Sequence, residues 1–289
     1  MKLNTLFQLG RVSNLPTVWT NVIAGIVISG GTLGIYNGLI LIISLSLFYI
    51  GGMFLNDAFD AEFDLIERPE RPIPSKKITR KSVFFIGFGL LILGIFLLYV
   101  EALLTNILNL KLILFLGFLL SFFIIFYNKY HKNNPFSPLI MGLCRISIYF
   151  IASSFFLSYF NTDILEAALF LLSYLIGLTF LAKQENIGFL KNQWPLLFLI
   201  APIVYGYTLT ENIFSYIVLG LFILNIILSI YFIFSKKNRD IRKSVTLLIS
   251  GICIFDAILI THHGEINLAI LSFAFFTLTL FFQKYISGT

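Results

Sequence analysis

Apolar residues in this chain run in long stretches rather than in the short alternating patterns typical of soluble domains. A helix needs about 20 apolar residues to cross the hydrocarbon layer of a bilayer. By that measure the sequence predicts ten membrane-spanning helices, at approximately 15–33, 37–56, 82–100, 103–127, 137–160, 164–182, 194–210, 213–234, 244–262 and 266–286. The linkers are short except for residues 57–81, and nothing resembles a separate soluble domain. We therefore expect residues 1–289 to form one all-α, multi-pass membrane domain of nine to ten transmembrane helices.

The composition supports this interpretation and excludes most soluble folds. Hydrophobic residues make up 58% of the chain and charged residues 12%, and the mean hydropathy is +0.93. An ordinary soluble domain has roughly 45–50% apolar and about 25% charged residues. The two cysteines lie in apolar stretches and suggest neither a disulfide framework nor a metal cluster. The expected solvent of the chain is therefore a lipid bilayer.

The basic residues indicate the orientation of these spans. If ten spans alternate, every Lys and Arg except Lys111 and Arg145 falls on the side that holds both termini and the linker 57–81. Short loops rich in Lys and Arg remain in the cytoplasm. The net charge of +6 is thus an orientation signal rather than a sign of nucleic-acid binding. The first stretch has no clear cleavage site, so we expect a retained helix and a cytoplasmic N-terminus, in the plasma membrane if the source is bacterial.

A row of acidic residues emerges from the end of the second predicted span. Asp57, Asp60 and Asp64 are spaced i, i+3 and i+7, which on a helix places their carboxylates within an arc of about 60° over roughly 10 Å. Because like charges repel, we interpret the row as oxygen ligands that share a hard divalent cation, Mg²⁺, with Asn56 assisting. Three carboxylates in register at a membrane boundary therefore predict a metal site.

Magnesium completes its coordination shell with waters and substrate phosphates, so the row also predicts a phosphorylated substrate. Basic residues that would hold the phosphate follow directly: Arg68, Arg71, Lys76 and Lys77. The remaining acids of this linker are expected to be solvated: Glu62, Glu67 and Glu70.

The stretch Asn56–Asp64 reads N-D-x-x-D-x-x-x-D and resembles the first aspartate-rich motif of the UbiA superfamily of intramembrane prenyltransferases. Its place after the second helix matches that family. The resemblance implies that Mg²⁺ bridges the aspartates and the diphosphate of an isoprenoid donor. Ionisation of the donor would give an allylic cation, which a lipophilic, commonly aromatic, acceptor captures. The expected partners are thus a prenyl diphosphate, a lipophilic acceptor and the bilayer.

The second aspartate-rich motif of the superfamily is atypical in this chain. In the matching stretch Tyr174 and Lys183 are present, and we expect Tyr174 to contact substrate, but Glu185 is the single acid. We expect Lys183 to replace the charge of a second metal ion, and Glu185 to bind a second ion or to deprotonate the acceptor. With the sequence R-P-E-R-P-I-P-S at 68–75, this pattern resembles the EboC-like branch. The alternative is a catalytically degenerate carrier or transporter of a lipophilic metabolite.

Polar residues within the spans are costly in lipid and are therefore further candidates. Arg145, in the fifth span, is predicted to contact the diphosphate or the acceptor, with pairing to another helix as the alternative. Asn21, in the first span, is predicted to line the site or to hydrogen-bond to a neighbouring helix. Asp256 lies in the middle of the ninth span, far in sequence from both motifs.

Overall fold

The computed structural model describes residues 3–32, 35–105, 109–132, 134–157, 159–185, 192–235 and 239–288, and all regular structure in these ranges is helical. The α-helices are α1 (Leu3–Leu9), α2 (Leu15–Ile28), α3 (Ile35–Phe59), α4 (Ala61–Glu67), α5 (Arg80–Leu104), α6 (Leu110–Tyr130), α7 (Ser137–Ser153), α8 (Thr162–Lys183), α9 (Ile200–Thr208), α10 (Ile213–Phe234), α11 (Ile241–His262) and α12 (Ile266–Gln283). Some basic residues used for the orientation lie outside the described residues: Lys2, Lys191, Lys236 and Lys237. The cytoplasmic N-terminus stays a prediction.

Apolar helical segments occur in the described chain at each of the ten predicted positions. By length and composition, seven of these helices are able to cross a membrane. Three are shorter: Val12–Ile28, Ser137–Ser153 and Trp194–Thr208. The last of them starts as a 3-10 turn, Trp194–Leu199, before α9. The all-helical membrane fold is confirmed. One predicted end is wrong: α7 ends at Ser153, seven residues before the predicted end at 160. The prediction was too long because apolar side chains continue beyond the last helical turn.

Helix α11 is the centre of the bundle. Its most apolar window is 89% buried, whereas the other six long helices reach at most 56%. It packs against α2, α8, α10 and α12. Small residues allow this close packing: a Cβ atom added at Gly251 would lie 2.6 Å from the Tyr174 hydroxyl. A polar side chain in the middle of α11 therefore lies within protein rather than against lipid.

Two apolar clusters fill the bundle, and α2 and α7 contribute to both. One cluster joins α2 and α7 to α8, α9, α10, α11 and α12, and the other joins them to α3, α5 and α6. Helices α2 and α7 approach closely, since a Cβ atom at Gly25 would lie 2.9 Å from Ala152 Cβ. The space left between the two clusters forms a cavity at one end of the bundle.

The predicted acidic row is divided between two helices. Helix α3 ends at Phe59 and α4 begins at Ala61, with Asp60 between them. The helical hydrogen bonds continue across this junction, from Asp60 N to Asn56 O at 2.9 Å and from Asp64 N to Asp60 O at 2.9 Å. Asn56, Asp60 and Asp64, four residues apart, thus follow one another along nearly one face.

Candidate active site

A cavity of about 400 Å³ opens at the end of the bundle where α3 meets α4. Towards the middle of the bundle its walls are apolar, with Leu45, Phe48 and Leu178 among them. Polar and charged residues line its mouth: Arg11, Asn56, Asp60, Asp64, Arg68, Arg71, Asn128, His131, Lys132, Lys183 and Glu185. An apolar interior below a charged mouth fits an amphiphilic ligand with an ionic end.

Only two of the three predicted carboxylates line this cavity. Asp60 and Asp64 do so, whereas Asp57 lies behind two arginines. Asp57 Oδ1 is 3.3 Å from Arg11 Nη2 and 3.3 Å from Arg71 Nη1. Among the described residues, no three His, Cys, Asp or Glu side chains converge on one metal position. The structure therefore does not bring all three aspartates to one ion, and it places Asp57 as the partner of the arginines.

The carboxylates on the cavity wall also have basic partners. Arg71 Nη1 lies 2.9 Å from Asp64 Oδ2, and Lys132 Nζ lies 2.8 Å from Asp60 Oδ1. Burial by itself would raise the pKa of Asp60, but hydrogen bonds from His131 and Lys132, together with electrostatic attraction to both side chains, outweigh it and hold the pKa below its ordinary value. Asp60 is therefore kept as an anion. Its basic partner Lys132 would also be able to bind an anionic ligand.

Arg11 is the principal site residue that the sequence analysis missed, since it was counted only as an orientation charge. It precedes α2 with a left-handed backbone, φ 41° and ψ 48°, a conformation that costs a non-glycine residue about 1–2 kcal/mol. Arg11 Nη2 donates to Asn56 Oδ1 at 3.1 Å. Burial lowers the pKa of Arg11, but the surrounding acidic groups, of which Asp57 contributes most, together more than offset this effect and raise the pKa. No local pattern distinguishes Arg11; the packing of α1 against α3 brings it to the motif.

The end of α6 supplies a second group that the predicted site lacked. Asn56 Nδ2 donates to Asn128 Oδ1 at 3.1 Å, and Asn128 Nδ2 donates to the Gly52 carbonyl at 2.9 Å. Lys132 Nζ lies 4.1 Å from the centre of the Phe63 ring. One signal was present, because polar residues cluster where the fourth predicted span ends on the same side as the aspartates. However, the prediction that two loops lie on the same side of the membrane does not show whether they are in contact.

The residues of the atypical second motif lie at the margin of the cavity. Lys183 and Glu185 both line it. Lys183 Nζ donates to the Asn134 carbonyl at 3.0 Å, and Glu185 Oε1 lies 4.0 Å from Arg242 Nε. The structure therefore brings both residues to the mouth that the first motif forms, and their roles stay predictions.

Positive charge is concentrated at this mouth. Burial is the main cause that lowers the pKa of Arg68, and the neighbouring Arg71 and Arg11 lower it further. Asp64 and Glu185 oppose that effect only in part. The positive charges of Arg11, Arg68 and Arg71 therefore repel one another. A ligand with several negative charges would be stabilised at this position.

Four residues predicted to contact substrate lie away from the cavity. Lys76 and Lys77 are exposed in the linker between α4 and α5. Tyr174 is fully buried, and its hydroxyl donates to a backbone carbonyl of α11 at 2.7 Å. Asn21 is also fully buried and points to Asp256. For Tyr174 and Asn21 the difference has one cause: position along a span determines depth, but packing determines the direction of the side chain.

Asp256 and Asn21 belong to a buried network that joins α2, α7 and α11. Asn21 Nδ2 lies 3.0 Å from Asp256 Oδ1 and 2.8 Å from Oδ2, and the Tyr149 hydroxyl donates to Oδ1. In the part of the chain that the structure describes, Asp256 forms no ion pair with a basic side chain. Its carboxylate is stabilised by neutral donors.

Arg145 lines the cavity at a deeper level than the aspartates. Its Nη2 donates to Thr17 Oγ1 at 2.5 Å, and its guanidinium carbon lies 5.9 Å from the centre of the Tyr49 ring. Tyr49 is seven residues before Asn56 on α3, which corresponds to about 10 Å along a helix. Arg145 is therefore placed to contact a part of the ligand distant from the carboxylates.

Known proteins share this sequence pattern. The model of the UbiA prenyltransferase family matches residues 17–185. A digeranylgeranylglyceryl phosphate synthase of Saccharolobus solfataricus is 30% identical over 159 residues, which are 54% of this chain and 54% of that protein. A synthase of the same name from Methanoregula boonei is 35% identical over 95 residues, 33% of this chain and 34% of that protein. The chain thus matches about a third to a half of the length of these curated relatives.

Solved structures share the fold. A UbiA homologue from Archaeoglobus fulgidus, bound to GPP and Mg²⁺, aligns with a TM-score of 0.62 at 15% identity, covering 91% of this chain and 99% of that one. An apo UbiA homologue from Aeropyrum pernix K1 aligns with a TM-score of 0.65 at 14% identity, covering 86% and 96%. At these identities the similarity concerns the arrangement of the helices.

Proposed function

This chain belongs to the UbiA prenyltransferase family, and from that premise we propose that it transfers an isoprenyl group from a prenyl diphosphate to a lipophilic acceptor. The observation that carries the proposal is one cavity that combines an apolar interior with three carboxylates and an excess of cations at its mouth. Such a cavity separates the prenyl chain from the diphosphate of one ligand. The names of the relatives, and the GPP and Mg²⁺ bound to the Archaeoglobus fulgidus homologue, support this reading.

The residues at the mouth fit a magnesium ion that is held jointly with substrate. Magnesium prefers oxygen ligands and is usually bound by one or two carboxylates plus substrate phosphates. Asn56, Asp60 and Asp64 supply such oxygens on the cavity wall. When bound, the ion would neutralise charge on the leaving diphosphate. Arg71 and Lys132 would then exchange their carboxylate partners for phosphate oxygens.

The basic residues provide the remaining charge for the leaving group. Breaking the bond between the prenyl carbon and its oxygen leaves both electrons on the diphosphate, so nearby cations lower the barrier. Arg11, Arg68 and Arg71 surround that position, and Lys183 lies at the margin where the family's second motif would hold another ion. Guanidinium groups suit the task because their planar donors match phosphate oxygens.

The cavity interior would protect the reacting prenyl group. An apolar space excludes water that would otherwise capture the allylic cation. Phe48, Tyr49 and Tyr127 line it, and aromatic faces stabilise cations. Electrons from the acceptor form the new bond, and Glu185 is the candidate to remove the displaced proton. The acceptor is lipophilic on this proposal because it enters the same apolar space, where Arg145 would contact its polar part or the diphosphate.

A carrier of a lipophilic metabolite is the second candidate. It is favoured by the second motif, where Glu185 stands alone and lies beside Arg242. On this second proposal, a mouth with one acid at that position binds a lipid diphosphate without ionising it. The EboC-like branch assignment stays a prediction.

Donor turnover separates the two candidates. Purified protein is incubated with Mg²⁺, prenyl diphosphates of several chain lengths and a panel of aromatic and other lipophilic acceptors, and diphosphate release is measured. The enzyme proposal expects Mg²⁺-dependent release with at least one pair. Saturable donor binding without release from any pair would refute the enzyme and support the carrier. Absence of donor binding would refute both.

A further inference from the structure

A second cavity, of about 230 Å³, lies at the opposite end of the bundle from the aspartates. It is formed where α2 and α5 end, where α3 begins and where the chain leaves α7. Two of its lining residues, Thr32 and Phe156, are exposed, so the cavity reaches the protein surface. If the aspartate mouth faces the cytoplasm, this cavity faces the opposite leaflet.

Glu101 gives this cavity a buried carboxyl group that the described part of the chain leaves incompletely partnered. Its side chain is buried, with the residue 1% exposed, and Oε2 has no hydrogen-bond partner among the described residues. The Thr105 hydroxyl does not supply one, because it donates to the backbone carbonyl of Glu101 at 2.7 Å. Burying a carboxyl group without a partner is costly, particularly at membrane depth. The arrangement therefore calls for a cation or a donor from outside the chain.

We propose that this cavity binds a primary ammonium group, with Glu101 as its counter-ion. An ammonium carries three N–H donors. One would reach the Glu101 carboxylate, and the Thr105 hydroxyl oxygen remains able to accept another. Phe155 and Phe156 line the same space, and aromatic faces attract ammonium ions. Charge, donor number and aromatic lining thus agree on one class of ligand.

The lining does not suit a hard metal ion. Mg²⁺ and Ca²⁺ need at least six oxygen ligands, and Glu101 is the one carboxylate among the described lining residues. The volume also limits the ligand. A water molecule occupies about 30 Å³ of liquid, so a cavity of about 230 Å³ holds an ammonium on a short stem. A phosphatidylethanolamine headgroup and a free alkylamine are the two sources of that chemistry.

Binding is tested with two ammonium probes on the detergent-purified full chain. The probes are ethanolammonium chloride and dihexanoyl phosphatidylethanolamine, and the thermal midpoint is followed as each is titrated. N-acetylethanolamine, dihexanoyl phosphatidylglycerol and NaCl control for the stem, the lipid and the ionic strength. We expect saturable stabilisation by an ammonium probe and none by the controls. Stabilisation by the lipid alone would identify a headgroup site, and stabilisation by both would show that the ammonium suffices.

Variants locate the site. Glu101→Gln keeps the shape but removes the charge and is expected to weaken binding at least about ten-fold. Glu166→Gln, an exposed acid near the same end of the bundle on α8, should bind as the unaltered chain does. Leu41→Phe retains the carboxylate but fills the cavity and should also weaken binding. The proposal is overturned if no ammonium probe stabilises the chain, or if Glu101→Gln binds equally well. If Glu101→Gln does not fold, unchanged binding by Leu41→Phe overturns it.

Discussion

Two groups of buried carboxylates in this molecule are stabilised in different ways. Asp60 and Asp64 at the cavity mouth are 8% and 2% exposed, and Asp256 at the centre of the bundle is 0% exposed. The carboxylates at the mouth face the cations Lys132 and Arg71. Asp256 instead accepts hydrogen bonds from neutral side chains on other helices.

The difference shows which carboxylates are able to change partners. At the mouth, a metal ion would bind the carboxylates and an anionic ligand would bind the basic residues. The ion pairs there are therefore exchangeable. In the central network, the Asn21 amide and the Tyr149 hydroxyl have no comparable replacement, so opening it would strand buried donors. We therefore expect substitutions at the mouth to alter ligand binding, and substitutions at the centre to alter stability.

The largest effect is expected for Asp60→Ala. This change removes a carboxylate from the proposed Mg²⁺ site, and prenyl transfer should fall at least about 1,000-fold, or about 4 kcal/mol in activation free energy. Donor binding, measured with Mg²⁺ and after chelation, should lose its dependence on the metal, while the protein still inserts into membranes. The matched control is Asp163→Ala, an exposed acid at the start of α8. Unchanged Mg²⁺-dependent affinity in Asp60→Ala would show that the row is not the metal site.

Asp256→Ala tests the other side of the comparison. It leaves Asn21 Nδ2 and the Tyr149 hydroxyl without their acceptor, and each stranded buried donor costs about 1–3 kcal/mol. We expect the unfolding free energy to fall by about 3 kcal/mol, measured as a lower thermal midpoint, with donor affinity of the folded protein within about two-fold of normal. Asp256→Asn keeps one acceptor oxygen and should cost less. A large loss of donor affinity at full stability would instead place Asp256 in the reaction.

Arg71 tests whether the ion pairs at the mouth are exchangeable. Its Nη1 contacts both Asp57 and Asp64, and on our proposal it moves to the diphosphate. Arg71→Ala should weaken donor binding about ten-fold, or about 1.4 kcal/mol, and Arg71→Lys somewhat less, because an ammonium retains the charge but not the planar donor geometry. Lys77→Ala is the control, since that side chain is exposed away from the cavity. Equal donor affinities in all three variants would contradict a phosphate role for Arg71.

The smallest effect is expected for Tyr174→Phe. This substitution removes one buried hydrogen bond, so the unfolding free energy should fall by about 1 kcal/mol while the KM for donor stays unchanged. Thermal midpoints and donor kinetics measure the two quantities, and Tyr207→Phe, at an exposed tyrosine, should change neither. A rise in donor KM of about five-fold or more in Tyr174→Phe would return this tyrosine to the site.

The fold was predictable because its signal is local. Ten apolar stretches predicted helical segments at positions where the described structure has them. The resemblance at Asn56–Asp64 pointed to the UbiA superfamily, and membership of that family is confirmed. Helix ends were less accurate, as at α7, since hydropathy does not distinguish an apolar turn from a helix. Spacing alone also grouped Asp57 with Asp60 and Asp64, although Asp57 faces Arg11.

By itself, the sequence determined the solvent of this protein, its helical segments and the location of its acidic motif. Each of these depends on neighbouring residues along the chain, which a helix of 3.6 residues per turn relates to one another. Only the tertiary structure decided that Arg11 and Lys132 join the motif, that Asn21 turns to Asp256 and that Tyr174 lies outside the cavity. These contacts join residues from 45 to 235 positions apart, and helix packing alone determines which of them meet.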